Sequence, residues 1–323
     1  MSHASASLSQ GSKVVRLCDR ALMLQKARHF FSERNILEVD CPILSAQASL
    51  DPNIDLMTAL YRQKERYFLH SSPEFGMKRL LADGIGDIYQ LSHVFRDGEC
   101  GHKHNPEFTM AEWYRLEFTM EQIMDETIKF IRLFLGELSS KIVTYREVFL
   151  KTIGLDYVTA SEEELYAFIN NHKISHYPSI LTDGKDSLLN LILESKIEET
   201  LGQGELTVLA YYPASQAALA RKRMHGIEPV AERFEVYYQG VELANGYHEL
   251  IDPTEQRQRF MEDNRTRLNM KKEALPFDEN FLRALEKGLP DCSGVAVGFD
   301  RLMMLRHRSP NISDVIPFGW FEA

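Results

Sequence analysis

Residues 95–114 read FRDGECGHKHNPEFTMAEWY, a pattern that predicts two strands joined by a polar loop. Arg96 ends the first strand. Side chains alternate along a strand, so Phe108, Glu112 and Tyr114 share one face of the second. A ring can stack on a purine, a carboxylate and a phenol can hold an ammonium group, and an arginine can bind phosphate bidentately. The alternative is a buried hairpin with a merely structural loop, which a lone arginine or glutamate would favour.

Residues 233–249, RFEVYYQGVELANGYHE, predict a hairpin that turns at its Gln-Gly pair. That turn places Glu235 and Glu242 diagonally on one face. Two close carboxylates favour a cation between them, and Mg²⁺ suits phosphate substrates. Glu242 and Asn245 are three residues apart, so their side chains would lie on opposite faces of a regular strand. If both point inward, we expect a bulge at residues 244–246. A solvated acidic hairpin is the alternative, but apolar residues on both faces argue against it.

Residues 294–305, GVAVGFDRLMML, predict a strand that runs into a helix. Gly294, Ala296 and Gly298 share one face, where small side chains allow a ligand to approach the backbone. Arg301 lies in the first turn of the helix. The glycine pattern matches neither the GxGxxG motif nor a P-loop, so it is weak alone.

Composition indicates a soluble globular protein of 323 residues with 44% hydrophobic and 26% charged residues. The net charge of −10 does not suggest a nucleic-acid binder, and the short basic cluster at residues 221–223 is better interpreted as a solvated loop. No apolar run is long enough for a membrane span, and residues 1–12 lack the apolar core of a signal peptide. The four cysteines form no CxxC pair, which favours a reduced, cytoplasmic setting.

The order of elements predicts an α+β fold built around an antiparallel sheet. We expect a flexible tail at residues 1–15 and one domain at 16–323. A helix over residues 19–34 would have Asp19 as its N-cap. Residues 144–204 predict a helical insertion that holds no clustered catalytic residues. The other expected elements are strands at 36–40, 87–95, 107–114, 206–211, 233–238, 241–244 and 293–298, and helices from 72, at 122–138, 254–270 and 278–287, and from about 300.

Three stretches resemble the motifs of class II aminoacyl-tRNA synthetases, in their usual order. Residues 26–42 resemble motif 1, residues 95–114 resemble motif 2, and GVAVGFDR resembles motif 3. The lysyl branch is the most similar, through SPEFGMKRLL, HNPEFTMAEWY and ELANGYHEL. The resemblance covers about residues 16–307 and implies the class II catalytic core, with a homodimer formed through motif 1.

The resemblance also implies a site for ATP and Mg²⁺. Arg96 would bind the α-phosphate and Arg301 the γ-phosphate, which makes them the expected catalytic residues. Phe108 and Arg301 would enclose adenine, and Glu235 and Glu242 would hold the metal. The whole expected ATP set is Arg96, Asp97, Gly98, His104, Asn105, Phe108, Glu242, Leu243, Gly298 and Arg301.

For the amino acid, the resemblance implies a pocket that recognises two amino groups. Glu74 and Glu112 would face the amine near the carboxylate, and Tyr114 and Glu249 the distal ammonium. Acidic groups around both amines suit a dibasic substrate. The whole expected set is Ser72, Pro73, Glu74, Glu112, Tyr114, Asn245, Glu249 and Ala296, with Asn245 at the substrate carboxylate.

Motif 1 begins close to the N-terminus, which leaves no room for the anticodon-binding domain of lysyl-tRNA synthetases. This arrangement is similar to the elongation factor P–lysine ligases, in which a lysine of elongation factor P, and not tRNA, receives (R)-β-lysine. Ala296 replaces a glycine of lysyl enzymes and would narrow the pocket floor. The acid that lysyl enzymes place earlier in the motif 2 loop is displaced to Glu99, which leaves its role open.

The resemblance therefore predicts a cytoplasmic ligase that forms an aminoacyl adenylate. Two alternatives remain. A truncated synthetase could charge tRNA or make a small amide, although an aspartate-type pocket would need a cation where Tyr114 and Glu249 stand. A regulatory paralogue could bind an amino acid without catalysis, although such proteins usually lose ATP-site residues that this chain retains.

Overall fold

The computed structural model describes residues 12–177 and 180–323. In that part of the chain the helices are α1 (Lys13–Ser32), α2 (Glu74–Ala82), α3 (Met120–Leu135), α4 (Tyr145–Ile153), α5 (Glu162–Asn171), α6 (Lys185–Ile192), α7 (Pro253–Asn269), α8 (Glu279–Gly288) and α9 (Phe299–His307). The strands are β1 (Leu37–Glu38), β2 (Leu44–Ser45), β3 (Thr58–Tyr61), β4 (Glu65–Leu69), β5 (Ile88–Phe95), β6 (Glu107–Leu116), β7 (Ser140–Thr144), β8 (Leu206–Pro213), β9 (Lys222–His225), β10 (Glu228–Tyr238), β11 (Val241–His248) and β12 (Cys292–Gly298).

The main sheet has the order β1-β5-β6-β12-β11-β10-β8-β7, and β9 pairs with β10. Its central pairs are antiparallel, as predicted. The pairs β1–β5 and β7–β8 at its two edges are parallel, so the sheet is mixed and the prediction of an antiparallel sheet was incomplete. A separate small sheet has the order β2-β4-β3. The α+β class is confirmed, and the strands that carry the three motifs lie side by side.

The first helix begins earlier than the sequence pattern predicts. The Ser12 hydroxyl accepts a hydrogen bond from the amide of Val15 and caps α1, so Asp19 is not the N-cap. Asp19 lies inside the helix and pairs instead with Arg306 and His307 of α9. The part of the predicted tail from Lys13 onward is therefore helical, and residues 1–11 lie outside the described residues.

One face of the main sheet packs against α1, α3 and α9. From β6, Ala111 and Trp113 enter this core, and from β12, Val295 and Val297 do so. The alternating residues of the same strands face the opposite way, and there they form the floor of a cavity. The two-residue period of the strands therefore separates core from cavity, as predicted for β6.

The bulge in β11 lies at Leu243 and not at residues 244–246 as predicted. Val236 pairs with Ala244 and Tyr237 pairs with Glu242, which leaves Leu243 without a partner residue. Leu243 and Ala244 both enter the main core, and Glu242 and Asn245 both line the cavity. The parity argument was right that a bulge is needed, but the extra residue is the apolar one that fits the core.

The segment between motifs 2 and 3 folds as helices against β8 and β10. Its core is built from aromatic and aliphatic side chains of α4, α5 and α6, with Tyr145 and Tyr212 buried together at a ring distance of 5.0 Å. After α6 the chain continues through a π-helical turn and a short 3₁₀ turn to Thr200. Among the described residues, no helix is both long and apolar enough to cross a membrane.

Candidate active site

A cavity of about 920 Å³ opens over the free face of the main sheet. Its floor comes from β6, β10, β11 and β12, and its walls come from the segment before β3, from α2 and from the helical insertion. The cavity brings together these predicted residues: Ser72, Glu74, Arg96, His104, Asn105, Phe108, Glu112, Tyr114, Glu235, Glu242, Leu243, Asn245, Glu249, Ala296, Gly298 and Arg301.

Three predicted site residues do not line this cavity, namely Pro73, Asp97 and Gly98. Pro73 is the residue just before α2, so this helix begins at Glu74 and not at residue 72 as predicted. Gly98 has a φ of 77° in the turn after β5, a conformation that favours glycine. Asp97 donates its backbone amide to the Asp55 carbonyl at 2.8 Å. Their observed contacts therefore shape the loop and the helix start.

One end of the cavity is an acidic pocket around Glu112. The carboxylate of Glu112 is buried and accepts hydrogen bonds from the hydroxyls of Tyr114 and Ser72, each at 2.7 Å. Ser72 also accepts the amide of Glu74 at 3.0 Å, which ties the pocket to the start of α2. Burial, together with the charge of Glu74, raises the pKa of Glu112 to about 8. A carboxylate in this state gains most from a cationic ligand.

The structure adds a residue to this pocket that the sequence argument missed. Lys78 is fully buried; its ammonium lies 2.6 Å from Glu74 Oε1 and also contacts Glu249 Oε2. Burial raises the pKa of Glu249 to about 7, although Lys78 opposes the shift. The available signal was the spacing of Glu74 and Lys78, which are one helical turn apart and can pair.

At the other end of the cavity lie two arginines. The guanidinium of Arg96 lies 5.2 Å from the centre of the Phe108 ring, and its buried Nε has no hydrogen-bond partner in the part of the chain that the structure describes. Arg301 donates to the Glu242 carboxylate at 3.1 Å and contacts His104 Nε2 at 2.7 Å. Burial and the neighbouring Arg301 lower the pKa of His104, so its neutral ring can accept this hydrogen bond. Both arginines are therefore held at the cavity wall.

Asn105 is committed to structural contacts. Its amide nitrogen donates to the Glu107 carbonyl at 2.6 Å, and its oxygen accepts the Trp320 backbone amide at 2.9 Å. These bonds fix the end of the motif 2 loop against the last residues of the chain. Each of the two amide atoms of Asn105 therefore has one bond within the protein, and the residue still lines the cavity.

Glu235 is held rigidly among hydrogen-bond donors. Tyr212 and Tyr237 donate their hydroxyls to its Oε2, each at 2.5 Å, and Arg233 contacts its Oε1 at 2.7 Å. Nearby, burial and the charges of Glu235 and Glu242 raise the pKa of Glu198 to about 7. Three carboxylates, those of Glu198, Glu235 and Glu242, therefore lie near only two described cations, Arg233 and Arg301. This excess of negative charge favours the binding of a cation.

No group of three or more His, Cys, Asp or Glu side chains in the described ranges could hold a metal ion. Mg²⁺ differs from many metals in that it usually takes one or two carboxylates and completes its shell with phosphate oxygens and water. Glu235 and Glu242 fit that pattern, because both line the end of the cavity that carries the arginines.

The helical insertion lines one wall of the cavity, although its sequence shows no clustered catalytic residues. Asp186 accepts a hydrogen bond from Ser215 at 2.8 Å, and Glu194 and Glu198 also line the wall. These acids are spread over α6 and the turns that follow it, so no local cluster was visible in the sequence. The insertion therefore closes one side of the site.

The floor of the acidic pocket requires small residues. A Cβ added to Gly294 would lie 2.3 Å from the Tyr114 ring and 2.7 Å from Glu249 Oε1. Ala296 pairs with Glu112 on one side and Asn245 on the other. Its methyl group therefore sits on the floor between two predicted substrate contacts.

The chain is similar to known proteins over almost its whole length. The family described as tRNA synthetases class II (D, K and N) matches residues 7–321. Proteins named elongation factor P–(R)-beta-lysine ligase are similar throughout: that of Sodalis glossinidius is 40% identical over 98% of both chains, and that of Proteus mirabilis is 40% identical over 97% of both. The protein of that name from Salmonella typhi is 39% identical over 97% of this chain and 98% of its own. The chain therefore belongs to the class II (D, K and N) synthetase family and, within it, to the group that contains these ligases.

Proposed function

We propose that this protein is an ATP-dependent ligase that activates (R)-β-lysine as an adenylate and transfers it to a lysine ε-amine of elongation factor P. One observation carries the proposal: a single cavity joins the acidic pocket of Glu74, Glu112 and Glu249 to the arginine pair Arg96 and Arg301. The names of the similar proteins supply the amino acid and the acceptor, and these proteins align over nearly their full length.

The geometry suits an amino acid with two ammonium groups and one carboxylate. The ammonium groups would lie among the acids of the pocket, with Tyr114 beside them. The carboxylate would point to Asn245, whose buried Oδ1 has no hydrogen-bond partner among the described residues. Rotation of the amide by 180° would present its NH₂ group to the carboxylate. From there it would face the arginine end, where the nucleotide would bind with adenine against Phe108.

In the first step, a carboxylate oxygen of the amino acid attacks the α-phosphorus of ATP. The bond from that phosphorus to the bridging oxygen breaks, and pyrophosphate leaves. Arg96 and Arg301 would balance the charge that develops on the phosphates, so positioning and electrostatics would supply the rate without an enzyme nucleophile. In the second step, the neutral amine of the acceptor lysine attacks the carbonyl carbon of the adenylate. The bond from that carbon to the phosphate oxygen breaks, AMP leaves, and the nitrogen loses a proton to solvent as the amide forms.

Glu235 and Glu242 would hold Mg²⁺ together with phosphate oxygens. The ion would supply charge neutralisation on the polyphosphate when it is bound. The protein's part is to orient Glu235 through Tyr212, Tyr237 and Arg233, and to keep Arg301 next to Glu242.

We also propose a cytoplasmic homodimer that acts without tRNA. Leu37, Ile43 and Leu44 follow α1 in the region of motif 1, and each is more than 40% exposed in the single chain. Exposed apolar side chains of this kind are commonly covered in an interface. Sedimentation of the purified protein would test the assembly, and a monomer at micromolar concentration would contradict it.

The decisive experiment incubates the protein with ATP, Mg²⁺ and (R)-β-lysine, and with either elongation factor P or tRNA as acceptor. We expect the mass of elongation factor P to increase by one lysyl group and tRNA to remain uncharged. Pyrophosphate exchange into ATP should depend on a lysine isomer and should not respond to aspartate.

The alternatives give different results in the same assay. Charging of tRNA would indicate a truncated synthetase, and a lysine-dependent amide on a small amine alone would indicate a small-molecule ligase. Amino-acid binding without pyrophosphate exchange would indicate a protein that only binds. Each of these results would reject the proposed reaction.

A further inference from the structure

The acidic pocket already contains one ammonium group, supplied by the protein. Lys78 is 1% exposed and contacts Glu74 on its own helix and Glu249 just after β11. The ring centres of Tyr114 and Phe281 each lie 5.9 Å from its nitrogen. Lys78 does not line the cavity, whereas the two carboxylates do. It therefore stands behind them and acts on a ligand only through them.

We propose that Lys78 is a positioning residue that offsets one of the three carboxylates and thereby sets how strongly the acidic pocket prefers a substrate with two ammonium groups over a substrate with one. The inference rests on the proposed function only in taking a diamino acid as the ligand. It assigns the selectivity to a residue that touches no substrate, and it holds for any acceptor of the activated amino acid.

The charges of the pocket support this role. Glu74, Glu112 and Glu249 contribute three negative charges when ionised, and Lys78 contributes one positive charge, so two negative charges remain. A ligand with two ammonium groups neutralises them. A ligand with one ammonium leaves a buried carboxylate without a counter-charge, which is costly in a buried site. The pocket therefore favours a dication over a monocation of the same length.

Lys78 stays charged near neutral pH, whereas Glu112 and Glu249 change their protonation state there. Burial disfavours its ammonium, but Glu249 and Glu74 outweigh burial, and the pKa of Lys78 is raised. Even with this cation present, burial raises the pKa of Glu112 to about 8 and that of Glu249 to about 7. Without the ammonium, these acids would hold protons to higher pH, and a cationic ligand would have to displace them.

The test measures equilibrium binding by calorimetry, with (R)-β-lysine and an analogue that lacks the distal amino group as probes. The variant is Lys78→Met, which is unbranched, is shorter than lysine by one atom and removes the charge. Because the variant pocket carries one more negative charge, and a dication gains more from it than a monocation does, we expect the preference for the diamine to rise by about tenfold or more and diamine binding to shift to higher pH. Arg79→Met is the matched control, because it removes an exposed cation from the neighbouring position and should keep the preference unchanged.

ATP binding reports whether each variant is folded. A folded Lys78→Met protein with the preference and the pH dependence of the parent would overturn the inference. If that variant does not fold, proton release from the parent protein gives the answer, measured in buffers of different ionisation enthalpy. The diamine should release more protons than the monoamine, and equal release, or no diamine binding at all, would reject the role of Lys78.

These measurements do not involve an acceptor. Failure to modify elongation factor P would reject the proposed function and leave the binding result standing. A diamine preference that does not depend on Lys78 would reject this inference and leave the proposed function standing.

Discussion

Arg20 and Asp300 form an ion pair that is almost entirely buried and that joins the first helix of the fold to the last. Asp300 also accepts the backbone amide of Thr109 at 2.7 Å, and Arg20 donates to the Thr109 hydroxyl at 2.7 Å. Phe108 and Arg301 are the chain neighbours of Thr109 and Asp300. The buried pair therefore fixes the two side chains that we expect to enclose adenine.

Replacing Arg20 with methionine should strongly destabilise the protein. The change leaves the Asp300 carboxylate buried without a counter-charge, which typically costs about 3–5 kcal/mol. The free energy of unfolding from urea titration would measure the effect. Arg28→Met is the control on the same helix: Arg28 and Glu38 are 48% and 41% exposed, so about 1 kcal/mol or less should be lost. Equal losses in the two variants would contradict the importance of the buried pair.

Gly294→Ala should abolish binding of the amino acid and spare binding of ATP. The added Cβ would lie 2.3 Å from the Tyr114 ring and 2.7 Å from Glu249, so both side chains would have to move. The three described atoms nearest to the added Cβ belong to Tyr114 and Glu249, which we expect to contact the amino acid and not ATP. Calorimetry with each ligand separately measures the two effects.

Gly101→Ala is the control for this substitution. A Cβ at Gly101 meets no atom of residues 12–177 or 180–323 within 4 Å, so both affinities should be kept. Normal amino-acid binding by the Gly294 variant would show that the pocket adapts and that its floor does not set the shape.

The parts of the site that the sequence predicts well are those built on strands. The two-residue period put Phe108, Glu112 and Tyr114 on one face, and the structure has all three in the cavity. The pairing of Tyr237 with Glu242 also follows from a short turn. In both cases the geometry depends on neighbours in the chain, so local pattern is enough.

The parts that were missed depend on contacts between distant segments. Lys78 can be recognised as part of the acidic pocket only from its contact with Glu249, which is distant from it in the sequence. The acids of the insertion, such as Glu194 and Glu198, enter the wall because their helices pack on β8 and β10. Burial decides the charge state of these groups, and sequence spacing does not report burial.

The stability that His248 contributes should decrease as pH rises. Its two ring nitrogens contact Glu232 and Asp291, each at 2.8 Å, so only the doubly protonated ring can donate to both. Burial opposes the charge and Arg221 repels it, but the two hydrogen bonds outweigh them and the pKa of His248 is raised. A raised pKa means that the contribution is fully present below the unfolded value of 6.5 and is lost as pH rises through the folded value.

The comparison of the parent protein with His248→Gln tests whether the stability contributed by His248 decreases as pH rises. The parent's advantage in free energy of unfolding should be larger at about pH 5.5 than at about pH 8.5. His29→Gln is the control, because His29 pairs with Glu33 on the exposed face of α1 and should give little difference at either pH. An advantage that grows with pH would contradict the raised pKa.

Ala296→Gly should shift the preference of the enzyme from (R)-β-lysine toward α-lysine. The methyl group of Ala296 lies on the pocket floor between Glu112 and Asn245, so its removal makes room for an amine at a different position along the substrate. One methyl group in a pocket changes discrimination by about 10- to 200-fold. The ratio of kcat/KM for the two isomers in pyrophosphate exchange measures the change.

Val297→Ala is the control for this substitution. It removes methyl groups from the core face of the same strand and should lower stability while leaving the ratio unchanged. A ratio that moves equally in both variants would show that strand packing, and not the floor of the pocket, selects the isomer.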